Sequence, residues 1–128
     1  MLITLLNVGD VSLGLRATSE TLLNIENHYK NKEILGQIIP NIQARAFTGR
    51  VDPDKVSHLI KNIRYNHIAE SLIADVETLP TPYGEHLKLC LDRFPHKVHF
   101  RTICIYDDIN KEDNTIAFVT AHAIIEST

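Results

Sequence analysis

The chain is poor in the residues that cross-link small proteins or stack on nucleic-acid bases. Its 128 residues include two cysteines, one methionine and no tryptophan, with four tyrosines and four phenylalanines. Two cysteines, Cys90 and Cys104, are too few for a disulfide scaffold, so a reducing, cytoplasmic location is expected. The small number of aromatic residues also disfavours a large base-stacking surface.

The chain also lacks a positive charge excess and a long apolar run. The net charge is −3, whereas proteins that bind extended nucleic acid usually present a basic face. No stretch approaches the roughly 20 apolar residues of a membrane-spanning helix. The first residues, MLITLLNVGD, have no basic region or small-residue cleavage site of the secretory kind. We therefore expect neither extended nucleic acid nor a membrane as a partner.

The composition that remains is that of an ordinary globular protein. Apolar residues make up 44% and charged residues 23% of the chain. A chain of this length fits one domain, residues 1–128, and can bury a core without disulfides or metals. We also expect no cofactor, because the sequence has no glycine-rich phosphate loop or other cofactor motif.

Local patterns in the first third predict a hairpin and two helical segments. Two apolar runs, LITLLNV and VSLGLRA, flank Gly9-Asp10, which is typical of a β-hairpin. Thr18 or Ser19 is a candidate N-cap for a helix with Leu22, Ile25 and Tyr29 on one face. The stretch KEILGQII continues a helical period until Pro40, and IQARAFT (42–48) alternates like a short strand.

The patterns in the middle of the chain predict three more helices. Asp52-Pro53 is a cap followed by proline, and the apolar stripe after it is Val56, Leu59, Ile60 and Ile63. Asn66 is a candidate cap for a second helix with Ile68, Leu72, Ile73, Val76 and Leu79 inward. Thr81-Pro82 is a candidate start for a third, with Leu87, Cys90, Leu91 and Phe94 on one stripe.

The chain ends in two apolar strands, KVHFRTICIY and TIAFVTAHAIIE, which we expect to form a second hairpin. The predicted fold class is therefore α+β. It is an antiparallel sheet built from the N- and C-terminal hairpins plus the short strand, with three to five helices packed on one face.

The C-terminal hairpin carries the strongest functional lead. Symmetric pairing about its loop places His99 opposite His122 and Arg101 opposite Thr120, with all four side chains on one face. Arginine offers a fork of donors for a phosphate or carboxylate, and histidines exchange protons near neutral pH. These four residues are the predicted ligand-binding site. The simplest alternative is that they form the solvated face of a sheet or part of a subunit interface.

A metal site is a weaker possibility. His86 and Cys90 are spaced i, i+4 on a helix and His96 follows, a set of donors that suits zinc. The spacing matches no standard zinc motif, and Cys90 lies on the apolar stripe, so no metal is predicted. His28, His58 and His67 fall on predicted helices and are expected at the surface.

These observations predict a non-enzymatic cytoplasmic binding or assembly protein that holds a small anionic, nucleotide- or phosphate-like ligand. A homo-oligomer is expected because the apolar final strand, with Ile124-Ile125, would be unfavourable as an exposed edge. One alternative is a metal-independent hydrolase or lyase that uses the paired histidines on a phosphate-bearing substrate. A purely structural subunit of a larger complex is another.

Overall fold

The computed structural model describes residues 1–12, 14–39, 51–106 and 116–126. These residues are mostly β-structure with two α-helices. The strands are β1 (Leu2–Asn7), β2 (Val11–Ser12), β3 (Leu15–Arg16), β4 (Ile34–Gln37), β5 (Val56–Asn66), β6 (Ser71–Thr78), β7 (Val98–Tyr106) and β8 (Ile116–Ile125). The helices are α1 (Ser19–His28) and α2 (Pro82–Arg93), and short 3₁₀ turns at Pro53–Lys55 and Pro95–Lys97 lead into β5 and β7.

The predicted sheet, with three to five helices on one face, is wrong. The main sheet is four-stranded and antiparallel, in the order β1-β6-β5-β4, and most of the predicted helices are its strands. Among the described residues, the predicted N-terminal hairpin is also absent, because β1 pairs with β6 in a register that places Ile3 opposite Ala74. The strands after Gly9-Asp10 form a separate two-stranded ribbon, β2-β3.

The two C-terminal strands complete a curled arrangement around the core. They form the predicted antiparallel ribbon, β7-β8. β8 lies parallel to the end of β4, where Ile39 N–H donates to Ala123 O at 2.9 Å and Ile38 pairs with Ala123. On the other side, Thr102 Oγ1 of β7 donates to Leu5 O of β1 at 2.7 Å. The strands thus follow one another around the core and return to β1.

The core lies inside this curl. Phe118 of β8 is almost completely buried, together with Leu22 of α1, Ile60 of β5 and Leu72 of β6. The hydroxyl of Tyr29, just after α1, donates to Phe118 O and holds the helix against β8. A second, smaller apolar cluster joins Leu87 and Cys90 of α2 to Val98 of β7 and Ala123 of β8. β8 is therefore covered by both clusters.

Both observed helices begin where their capping residues predict. Thr18 caps α1 in a reciprocal pair with Thr21, and Leu22 and Ile25 form its buried stripe. Thr81 caps α2 by accepting from Gly84 N–H at 2.9 Å, and its hydroxyl donates to Val56 O. A cap satisfies backbone amides through neighbouring residues, so the first turn that it begins can be predicted from the local sequence.

The helix predicted from Asp52-Pro53 is wrong after its first turn. Asp52 does cap a turn, with its carboxylate accepting from Asp54 N–H at 3.0 Å, but strand β5 follows. A β-bulge in β5 places two residues, Asn62 and Ile63, opposite Ala74, and Asn62 has a left-handed backbone (φ 53°). The extra residue separates the buried Ile60 and Ile63 by three positions, a spacing that imitates a helix.

The other two predicted helices are also strands. Asn66 caps only a tight turn, in which its side chain accepts from the N–H groups of Ile68 and Ala69, and β6 then buries Leu72, Ala74 and Val76 in alternation. The stretch KEILGQII forms β4 instead of a helix. The short strand predicted at 42–48 lies outside the described residues.

The argument for an exposed C-terminal edge strand also fails. β8 lies between β7 and β4, and Ile124 is buried. The apolar sequence of this strand is explained by burial within the fold.

Candidate functional site

The four residues of the predicted site share one face of the β7-β8 ribbon but differ in solvent access. The observed register is offset by two residues from the predicted one, so Arg101 lies opposite His122 and His99 opposite Ile124. His99 and Arg101 are exposed, whereas Thr120 and His122 are fully buried. The structure therefore does not bring the four side chains to one accessible surface.

The exposed pair is only partly available to a ligand. His99 Nε2 donates to the Glu126 carboxylate across 2.7 Å, and both side chains are about half exposed. Arg101 is exposed and lies two residues after His99 on β7. A small anion would thus meet Arg101 and a histidine that already has a carboxylate partner.

Thr120 and His122 are buried where β4 runs beside β8, and both side chains bond to the β4 backbone. Thr120 Oγ1 donates to Leu35 O at 2.8 Å. Gln37 N–H donates to His122 Nδ1 at 3.3 Å. We call this contact, together with His58 and Ala121, the β4-β8 junction. It joins the four-stranded sheet to the β7-β8 ribbon largely through side chains.

His58 extends the junction from β5, on the far side of β4. Its Nε2 lies 2.8 Å from Ala121 O, and its Nδ1 lies 2.7 Å from Ser57 Oγ. Since a carbonyl can only accept, Nε2 carries the proton and Nδ1 accepts from the Ser57 hydroxyl. The imidazole is thereby fixed as one neutral tautomer.

Gly36 of β4 makes room for that imidazole. Gly36 is the register partner of His58, and a Cβ at this position would lie 2.2 Å from His58 Nε2 and 2.7 Å from Ala121 O. Any side chain larger than hydrogen would therefore block the bond between β5 and β8.

Burial keeps both junction histidines neutral. Desolvation lowers the pKa of His58 to about 4, and the nearby His122 acts in the same direction, partly offset by the hydrogen bond to Ala121. Desolvation by burial also lowers the pKa of His122. The Phe100 ring packs edge-on against His58, with centroids 5.5 Å apart. An imidazolium would find little stabilisation in these surroundings.

The Ser57-His58 pair resembles a nucleophile with its base, but its surroundings favour a structural role. Catalysis requires the hydroxyl to reach a substrate, and both residues are fully buried. The proton on His58 Nε2 is used by a backbone carbonyl. His58 therefore links β5 to β8, and the burial of both residues argues against contact with a substrate.

Sequence reasoning missed His58, Ser57, Gly36 and Gln37 as members of this group. His58 was expected on the surface of a helix, but it lies in β5 and is fully buried. The glycine inside an apolar segment, Gly36, was the one available signal, because glycine in a strand marks a close approach of neighbouring groups.

The possible metal donors do not form a site in the part of the chain that is described. His86 Nε2 lies 3.9 Å from Cys90 Sγ. Within the described ranges, no three His, Cys, Asp or Glu residues are grouped so that they could hold a metal ion. Neither described helix is long and apolar enough to cross a membrane.

Comparison with protein-family models, with curated proteins and with solved structures gave no match for this chain.

Proposed function

We propose that the protein is a non-enzymatic binding or assembly protein of the cytoplasm that associates with a second copy of itself. The observation that carries this proposal is the burial of Ser57, His58 and His122. These are side chains suited to acid-base or nucleophilic chemistry, and they are engaged in internal hydrogen bonds. The unpaired thiols Cys90 and Cys104 fit a reducing compartment.

Self-association is supported by an apolar surface at one end of the sheet. Val8 N–H donates to Glu70 O at 2.9 Å, which ties the turn after β1 to the turn between β5 and β6. These turns and the adjoining β2 expose three apolar side chains, of which Ile68 is 97% exposed. We call Val8, Val11 and Ile68 the apolar tip. Exposed apolar groups that lie together are typical of interfaces.

Charges around the apolar tip favour a second copy as the partner. Asp10 and Glu70 are exposed on the two turns, and the exposed Arg16 lies opposite Val11 in the β2-β3 ribbon. In a two-fold contact, a surface meets its own copy. A surface that carries both signs can then pair its acids with its base across the axis.

The test is the molar mass in solution, measured by size-exclusion chromatography with light scattering at micromolar concentration. We expect a dimer for the natural protein and a monomer for Ile68→Lys, which places a charge in the apolar tip. Leu89→Lys is the matched control, because Leu89 is exposed on α2, which follows the end of β6 opposite to the tip, and this variant should remain a dimer. A natural protein that is strictly monomeric would refute self-association.

The structural-subunit alternative predicts the same exposed interface with a different chain as its occupant, so a monomeric natural protein would favour it. The hydrolase or lyase alternative requires two accessible histidines. His122 is buried and His99 is paired with Glu126, so no observation on the described residues favours it. Binding of a small anion at Arg101 and His99 stays a prediction.

A further inference from the structure

We propose that the β4-β8 junction is an acid-sensitive connection, in which protonation of His58 and His122 separates β8 from β4. This inference is independent of the proposed self-association. It rests on where the two imidazoles lie and on the hydrogen bonds that each one makes.

Each imidazole uses Nδ1 as an acceptor. His122 Nδ1 accepts from Gln37 N–H, and His58 Nδ1 accepts from the Ser57 hydroxyl. A protonated imidazole has no acceptor, because both ring nitrogens then carry hydrogen. Protonation of His122 would thus set a ring N–H against a backbone N–H. The serine hydroxyl can rotate, so for His58 the main cost is a buried charge.

Among the described residues, no carboxylate pairs with His58. The described groups that face the two imidazoles or adjoin them are Gln37 and Asp52 on the β4 side, Ser57 on β5, Phe100 and Arg101 on β7, and Cys90 on α2. The Asp52 N–H donates to Gln37 Oε1, but its carboxylate accepts from Asp54 N–H. Arg101, opposite His122, adds a positive charge. Two imidazolium groups would also repel each other.

The junction has fewer backbone hydrogen bonds than the ladders within either sheet. The β7-β8 ribbon is held by a ladder that extends from Val98 opposite Ile125 to Tyr106 opposite Ile116. Between β4 and β8, the backbone contributes the bridge of Ile38 with Ala123, and side chains make the other bonds. Because ladders open cooperatively, loss of the side-chain bonds should open the junction before the ladders.

The expected size of the effect follows from His58. Its pKa is about 4 in the closed protein, against an ordinary value of 6.5. Since the open form binds the proton more readily, the opening constant should rise about 30-fold between pH 8 and pH 5 from this residue alone. The lowered pKa of His122 acts in the same direction.

Residue-resolved amide hydrogen exchange at pH 8 and pH 5, corrected for intrinsic exchange rates, tests the proposal. The amides of Gln37 and Ile39 report on the junction, since they donate to His122 Nδ1 and Ala123 O. We expect their opening constants to rise about 30-fold at pH 5. Amides in the β5-β6 ladder should change less than about threefold. Junction amides that keep their protection at pH 5 would overturn the proposal, as would equal losses in both regions.

A double variant that cannot titrate isolates the cause. In His58→Gln with His122→Asn, the glutamine amide replaces the Nε2 donor and the asparagine oxygen replaces the Nδ1 acceptor. We expect its junction amides to open equally at both pH values. His96→Gln is the control, because His96 is exposed in the turn before β7, and it should respond like the natural protein. A double variant whose junction amides still open at pH 5 would refute the proposal. If the double variant does not fold, the comparison of junction amides with β5-β6 amides in the natural protein is the deciding test.

Discussion

His58 Nε2 donates to the carbonyl oxygen of Ala121 across 2.8 Å, although the two residues are 63 positions apart in the chain. This bond joins β5 to β8 over the backbone of β4. It fixes the tautomer of the imidazole and depends on the absence of a side chain at Gly36. The contact therefore couples the conformations of β4, β5 and β8.

Replacing Gly36 with alanine should destabilise the protein by about 3 kcal/mol, because the new methyl group overlaps His58 and Ala121 and breaks their hydrogen bond. The measurement is the free energy of unfolding in urea at pH 7.5. Leu35→Ala is the matched control on the same strand, since Leu35 is exposed, and it should cost less than about 1 kcal/mol. Equal stability of Gly36→Ala and the natural protein would show that the close approach is not needed.

Stability should fall in mild acid because of His58. Its lowered pKa in the folded protein means that the unfolded chain binds more protons between pH 6.5 and about 4. The contribution is therefore complete above pH 6.5 and is lost as the pH falls, reaching about 3 kcal/mol near pH 4. Urea unfolding measured at intervals from pH 8 to pH 4.5 should show this slope.

The same series on variants separates His58 from the carboxylates, which also lose stabilising interactions in acid. His58→Gln should flatten the curve between pH 6.5 and pH 5, whereas His96→Gln should leave it unchanged. A slope of the same steepness in His58→Gln would assign the acid sensitivity to other groups.

Arg101 should be the main contact for any small anion on the β7-β8 ribbon. Inorganic phosphate is expected to shift the backbone NMR signals of residues 99–101, and Arg101→Ala should weaken this binding at least about tenfold because a charge-assisted donor is lost. Lys61→Ala is the control, since Lys61 is paired with Glu77 on the other sheet. Phosphate that leaves these signals unshifted in the natural protein would remove the anion site.

The sequence predicted the elements whose signals are local. Thr18 and Thr81-Pro82 mark the starts of both helices, and caps depend on only a few neighbouring residues. The long alternation after Pro95 predicted β7 and β8. The strand parity that groups Arg101 with His122 also holds, because a register offset of two residues leaves each side chain on its face.

The features that were missed depend on distant partners. Gly9-Asp10 signals a turn, but it cannot indicate that β1 pairs with β6 and not with the segment that follows. The burial of His58 is decided by Gly36 and Ala121, on two other strands. A local pattern carries no information about either partner, so the imidazole was assigned to the surface.

The bulge at Asn62 has a consequence for how this chain can vary. Deleting Asn62 would leave Ile60, Ile63 and Tyr65 in regular alternation and would make Ile63 the single residue opposite Ala74. The shortened sequence would look like a better strand. A bulge, however, bends and twists its strand, and without that curvature β4 would no longer reach β8. A single-codon deletion that improves the hydrophobic pattern would thus straighten the sheet and open its enclosure of Phe118.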